Sequence, residues 1–254
     1  MTGSTPVGRS KQPFLVLEMD VRQSLSRLGQ CARLAVSTCC VGLAVSCPAA
    51  ATNPVLKFGP DLAANDWHYL GFPSRQGAQF SASGEDTVIV RADGGVGVLW
   101  HRLPLKLSEA RHAQWRWRVA AGVGPTDLTE RGSDDRALAV YFVFVDKPEA
   151  AEDSDLVALL RRGKGYFLMY VWGGSATPGT VLLSPYFDGR GRTIVKRAAD
   201  SPMRVWFKET ADVRGDFRKA FGRWPGTLVA VAISSDSDDT GAHILAAVAD
   251  LDVN

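Results

Sequence analysis

From residue 87 onward, apolar and polar positions alternate in short runs separated by Gly, Pro, Asp and Ser. Period two is the signature of strands that bury one face. The pattern predicts strands over 87–91, 96–103, 114–119, 137–145, 165–172, 193–197, 203–208, 228–234 and 242–253. Two stretches carry helix signals instead. Ser154 caps a predicted helix over 155–162, with Asp155 at its start and two arginines at its end, and a second helix over 212–221 is stopped by Gly222. Strands do not alternate with helices, which argues against a doubly wound parallel sheet. The expectation is an all-β fold, an antiparallel β-sandwich of two sheets packed face to face, with one or two short helices.

The alternation also sorts side chains onto faces. Trp115, Trp117 and Val119 share one face, with Gln114, Arg116 and Arg118 on the other. In the run 203–208, Val205 and Phe207 oppose Arg204, Trp206 and Lys208. In the run 165–172, Phe167, Met169 and Val171 oppose Tyr166, Leu168, Tyr170 and Trp172. The apolar sets are expected to build the core. The opposite sets combine into an aromatic and basic face of Arg116, Arg118, Tyr166, Tyr170, Trp172, Arg204, Trp206 and Lys208, suited to sugar rings stacked on aromatic faces and held by arginine forks. A second layer of core beneath the helices is the alternative for these aromatics.

The first fifty residues read as an address. Arg22, Arg27 and Arg33 precede an apolar stretch over 34–45, and Ala49, Ala50 and Ala51 supply small residues for cleavage before Thr52. The organisation expected is thus an N-terminal extension and signal over 1–51 and one sandwich domain over 52–254, with no integral span after cleavage and a periplasmic or secreted product. Acylation at Cys47 is the alternative outcome. All four cysteines (Cys31, Cys39, Cys40, Cys47) fall in the segment to be removed, so the remainder has no thiol chemistry. The chain carries +2, from 29 basic and 27 acidic residues. Residues 1–51 hold five of the basic and two of the acidic ones, which leaves 52–254 at −1. Such a balance offers no basic field for nucleic acid.

Three segments together resemble one known group. They are Trp115-Arg116-Trp117-Arg118-Val119, then Ser133-Asp134-Asp135 leading into the run from Ala139 to Phe144, and finally the stretches 216–222 and 231–241. They are similar to the exported bacterial proteins of domain-of-unknown-function family 3047. The sequence departs from that pattern at Ala139, where a basic residue is expected, and at Asp239, where Asn is commoner. The family has no established activity, so the resemblance implies architecture and export and adds little on chemistry. Its strand pattern is similar to that of jelly-roll carbohydrate-binding modules, an analogy of fold alone.

Acidic residues supply the remaining chemistry. The run Asp236-Ser237-Asp238-Asp239-Thr240-Gly241 reads as a polar turn between the last two strands. It also offers Asp236 and Asp238 to a structural Ca²⁺, although position 12 of a calcium loop would be Ala247 and not Glu. Asp134 and Asp135 sit in an acidic loop with Asp127 and Glu130. They are weak candidates for acid–base work, against the plainer reading of a solvated loop paired with Arg131 and Arg136. The four histidines lack metal-ligand spacing, and no phosphate loop or nucleophile elbow is present. The functional expectation is a non-catalytic binding module for an acidic or neutral glycan or another polar envelope ligand. A polysaccharide-acting hydrolase or lyase and a structural envelope protein are the alternatives. No cofactor is expected apart from the structural calcium.

Overall fold

The computed structural model describes residues 56–146, 156, 158–159 and 163–254. The chain divides into units over 1–48 and 49–254, and the first, with the predicted signal, lies outside the described residues. Thirteen strands form among the described residues: β1 (Trp67–Leu70), β2 (Gln76–Gly77), β3 (Gln79–Ala82), β4 (Thr87–Asp93), β5 (Gly95–Arg102), β6 (His112–Ala121), β7 (Arg136–Val145), β8 (Gly165–Trp172), β9 (Val181–Leu183), β10 (Gly191–Arg197), β11 (Phe207–Asp212), β12 (Thr227–Asp236) and β13 (His243–Val253). An eight-stranded sheet runs β1-β5-β12-β7-β8-β10-β9, with β2 on β5, and a five-stranded sheet runs β11-β6-β13-β4-β3. The predicted β-sandwich is the fold. Its sheets are not purely antiparallel, because β8 with β10 and β2 with β5 pair in parallel.

Burial explains why β7 and β12 lack clean alternation. On β7, Leu138, Val140, Phe142 and Phe144 point between the sheets, whereas Ala139, Tyr141, Val143 and Val145 join a second apolar cluster on the opposite face. A strand buried on both faces is apolar throughout. The inter-sheet core is aromatic. Trp115 and Trp117 of β6 meet edge-on at 5.6 Å, Trp115 lies 5.4 Å from Tyr170, and Trp117 lies 5.7 Å from Trp172.

Helix α1 (Val213–Phe221) closes one end of this core. The Asp212 carboxylate caps it by accepting from Gly215 N at 2.9 Å, and Gly222 ends it at φ +72, a conformation that costs glycine nothing. Phe217, on its inner side, stacks on Phe221 and meets Phe144 at 4.9 Å. Of the helix predicted over 155–162, Leu156, Ala158 and Leu159 are helical, and the other positions lie outside the described residues. The predicted strand 203–208 is corrected. Pairing with β6 begins at Phe207, Arg204 takes a left-handed φ of 64, and Val205 is exposed. The predicted alternation falls on a bend there, so it sorts no faces.

Candidate functional site

The outer face of the eight-stranded sheet holds a cleft of about 610 Å³. Register sets its floor. Thr193, Met169, Tyr141 and Ala232 are direct neighbours across β10, β8, β7 and β12. Small residues on β12 (Ala230, Ala232, Ser234) and Ala139 on β7 keep the centre low, while Phe72, Phe187 and the exposed edge of Tyr186 rise at the sides. The floor is apolar and one end is charged.

That end is built around Arg136, the first residue of β7. Its Nη1 donates to the Asp134 backbone O at 2.9 Å, to Asp134 Oδ2 at 3.2 Å and to Asp236 Oδ2 at 3.3 Å. Its Nη2 donates to the Tyr141 hydroxyl at 2.9 Å, which lies 3.1 Å from Ser234 Oγ. The Tyr186 hydroxyl donates to the remaining oxygen of Asp134, Oδ1, at 2.9 Å. Burial works against the Arg136 charge, but Tyr141, Asp236 and Asp134 outweigh it and raise its pKa. Burial pushes the Asp236 carboxyl up to about 7; Arg136 opposes the shift, and Asp238, Asp135 and Asp134 add to it. Burial also raises the Tyr186 hydroxyl, with help from the Asp134 charge. Asp236 Oδ1 is shielded from solvent and has no hydrogen-bond partner among the described residues.

Asp135 lies behind this group, fully buried, and ties two loops together. Its Oδ2 accepts from Thr240 N at 2.7 Å and from Thr240 Oγ1 at 2.6 Å. Arg75 reaches over the same turn, 3.3 Å from Asp238 and 3.9 Å from Asp239. One carboxylate oxygen from each of Asp135, Asp236 and Asp238 lies within 4.8 Å of the others, a spacing that suits a hard cation. The Asp135 oxygens already serve as acceptors for the turn, and Arg136 already supplies positive charge to Asp236.

A family model described as "Protein of unknown function (DUF3047)" matches residues 65–252. The chain belongs to this family. No curated protein matches it. Among solved structures, the DUF3047 chain is similar to the xyloglucanase domain of NopAA from Sinorhizobium fredii, determined with cellobiose, at 10% identity and TM-score 0.42 over 74% of this chain and 92% of that one. It is similar to a thermostable variant of the Rhodothermus marinus cellulase Cel12A, at 12% identity and TM-score 0.44 over 76% and 93%. It is similar to a family 12 xyloglucanase from Bacillus licheniformis, at 9% identity and TM-score 0.36 over 74% and 96%. These values are too low to carry the enzymes' activities to the DUF3047 chain.

The structure does not assemble the predicted aromatic and basic face. Tyr170 and Trp172 are 0% and 1% exposed, inside the inter-sheet core. Tyr166 packs there against Phe217 and Phe221. Arg118 is buried on β6. Arg116 and Lys208 are neighbours on the exposed outer face of the five-stranded sheet, with Trp206 lying against the Arg116 guanidinium at 5.2 Å, and Arg204 sits in the bend before β11. Both faces of β8 are apolar, so period two cannot say which turns inward. The bulky Tyr and Trp set fills the gap facing β6 and α1, which leaves Phe167, Met169 and Val171 on the outer face with the cleft. The acidic candidates do converge: Asp134, Asp236 and Asp238 line the cleft, and Asp135 supports them. Sequence reasoning missed Tyr141, Tyr186 and Thr193, and took Arg136 only as an ion-pair partner of the acidic loop, a pair that forms with Asp134. The available signals were an arginine opening a wholly apolar strand and polar Ser234 within another.

Proposed function

We propose that this DUF3047 protein is a binding module that takes a glycan in the concave cleft. The observation that carries the reading is the cleft itself, an apolar floor with flat aromatic sides and one end dense in hydrogen-bonding groups. Such mixed lining suits rings that present apolar faces and polar rims. Asp134 is held by the protein itself, with Tyr186 donating to one oxygen and Arg136 to the other, which fixes the shape of the polar end of the cleft. A glycan array probed with the protein is the direct test. Binding that falls at least tenfold on Tyr186→Ala, with no product released, supports the reading; binding indifferent to that change overturns it.

A second reading, a polysaccharide-acting hydrolase, draws on one specific observation. Asp134 and Asp236 share a single nitrogen of Arg136, and a carboxyl titrating near 7 can deliver a proton at neutral pH. Reducing ends released by the protein and lost in Asp236→Asn would establish it.

The same proposal places the protein outside the cytoplasm, on the strength of the basic and then apolar order of residues 22–51. The N-terminus of the product, read by mass spectrometry, is expected at or beside Thr52. A chain that retains Cys31 would overturn export, and one acylated at Cys47 would make it a lipoprotein.

A further inference from the structure

The charged end of the cleft is short of donors, not of cations. Four aspartates line the cleft (Asp134, Asp236, Asp238 and Asp239), with Asp135 buried behind them. The inner guanidinium, Arg136, is shared between Asp134 and Asp236, and Arg75 is engaged by Asp238 and Asp239. Arg131, the third arginine of the lining, donates from its Nε to the Pro185 carbonyl and lies over the Tyr186 ring. A ligand carboxylate or sulfate arriving here would meet four aspartates against three arginines, two of them already ion-paired. The shielded Asp236 Oδ1 instead asks for a hydrogen to accept.

A second polar group lies across the floor. Thr193 is 5% exposed and lines the cleft from β10, where its hydroxyl can donate or accept a hydrogen bond. Register places it two strands from Tyr141, with Met169 between them. Adjacent strands are ~4.8 Å apart, so the Thr193 hydroxyl and the Tyr141–Ser234 group stand roughly 10 Å apart along a line that crosses the strands. A single sugar ring cannot serve both ends. A chain can, with its ring faces on Met169 and the flanking aromatics.

Resting on the cleft being the ligand site, we propose that the ligand is an uncharged saccharide chain of at least two rings lying across the strands, with a hydroxyl donated to Asp236 Oδ1 at one end and another bonded to Thr193 at the other, and that acidic chains are rejected. Thr193 and Asp236 are then the residues that set length and charge preference.

The test uses the protein against neutral, uronate and sulfated oligosaccharides of one to six units, with affinities measured by calorimetry for those retained. Neutral chains are expected to gain affinity from one unit to three and then level off, with uronate and sulfated chains at least tenfold weaker. Thr193→Val, which keeps the side-chain shape, is expected to weaken chains of two or more units severalfold and leave single sugars unchanged. Asp236→Asn is expected to narrow the gap between neutral and acidic chains. Acidic chains that bind as tightly as neutral ones, or a Thr193→Val protein with unchanged chain-length dependence, would overturn the inference while the cleft remained the site. Failure of every saccharide to bind, or binding that Tyr186→Ala leaves intact, would overturn the cleft reading itself, a separate result.

Discussion

The two faces of β8 have nearly the same hydropathy and opposite fates. Toward the five-stranded sheet, Tyr170 and Trp172 are locked among Trp115, Trp117 and Phe207. Toward the cleft, Phe167 and Met169 are also shielded, yet the space above them is open and ends in a charged group. Hydropathy settles that a side chain leaves water. What covers it is settled by the partner element: β6 and α1 on one side, and on the other loops that carry Asp134, Tyr186 and Phe72.

The largest effect that tests this contrast is on the closed face. Trp172→Ala should cost about 3–5 kcal/mol, as large aromatic truncations in packed cores do, read by urea denaturation. A variant that kept its stability but lost glycan binding would reverse the assignment of the two faces. Next comes the charged end. Arg136→Lys keeps a positive charge and gives up the fork that joins Asp134, Asp236 and Tyr141, so it should cost about 1.5–3 kcal/mol and weaken binding as well. An unchanged midpoint would mean that the fork is not what holds this end together.

These outcomes bear on what the sequence could disclose. The sandwich was legible because the runs have strand period and turn residues between them; observed strands cover eight of the nine along most of their length and meet the ninth, 203–208, only at its last two residues. Missed strands are the short ones with little burial: β1, β2, β3 and β9, four residues or fewer each. They form because longer neighbours offer an edge, a tertiary effect that no local pattern carries. The acidic part of the site was legible as two clusters, 134–135 and 236–239, but nothing in either announced that they meet. Their meeting follows from the pairing of β7 with β12, which sets Arg136 opposite Asp236. The aromatic face was misplaced for the complementary reason: alternation identifies two faces and does not rank them.

A smaller effect is expected at the joint between the acidic clusters. Asp135→Asn keeps the shape and loses charge-assisted acceptance from Thr240, at a cost of about 1–2 kcal/mol with binding reduced in parallel. Loss of binding without any loss of stability would give Asp135 a direct part in the site. The smallest effect is in pH. The Asp236 carboxyl is raised from 3.8 to about 7, so the folded chain holds a proton that the unfolded chain has released over that window. The stability this contributes is present below about pH 4 and lost as pH rises through about 7. Around Asp236, Arg136 favours the charged form, while Asp134, Asp135 and Asp238 oppose it. Melting curves should therefore show Asp236→Asn gaining on the parent protein from pH 5 to pH 8, and a constant difference would place the titration elsewhere.

The bond from Asp135 to Thr240 spans 105 residues, and that from Arg136 to Asp236 spans 100. Sheets dominated by such distant pairings form slowly, because the chain must close large loops before any contact offsets the cost. During that interval β7 and β8, adjacent through a shorter connection, can already present the apolar trough of Tyr141, Val143, Phe167 and Met169 while the carboxylates of the far strand are missing. A chain in that state is a sticky one, with an apolar furrow charged only at its Asp134 and Arg136 end, where the finished protein adds Asp236 and Asp238. The pairing of β12 with β7 both completes the cleft and covers surface that would otherwise favour self-association.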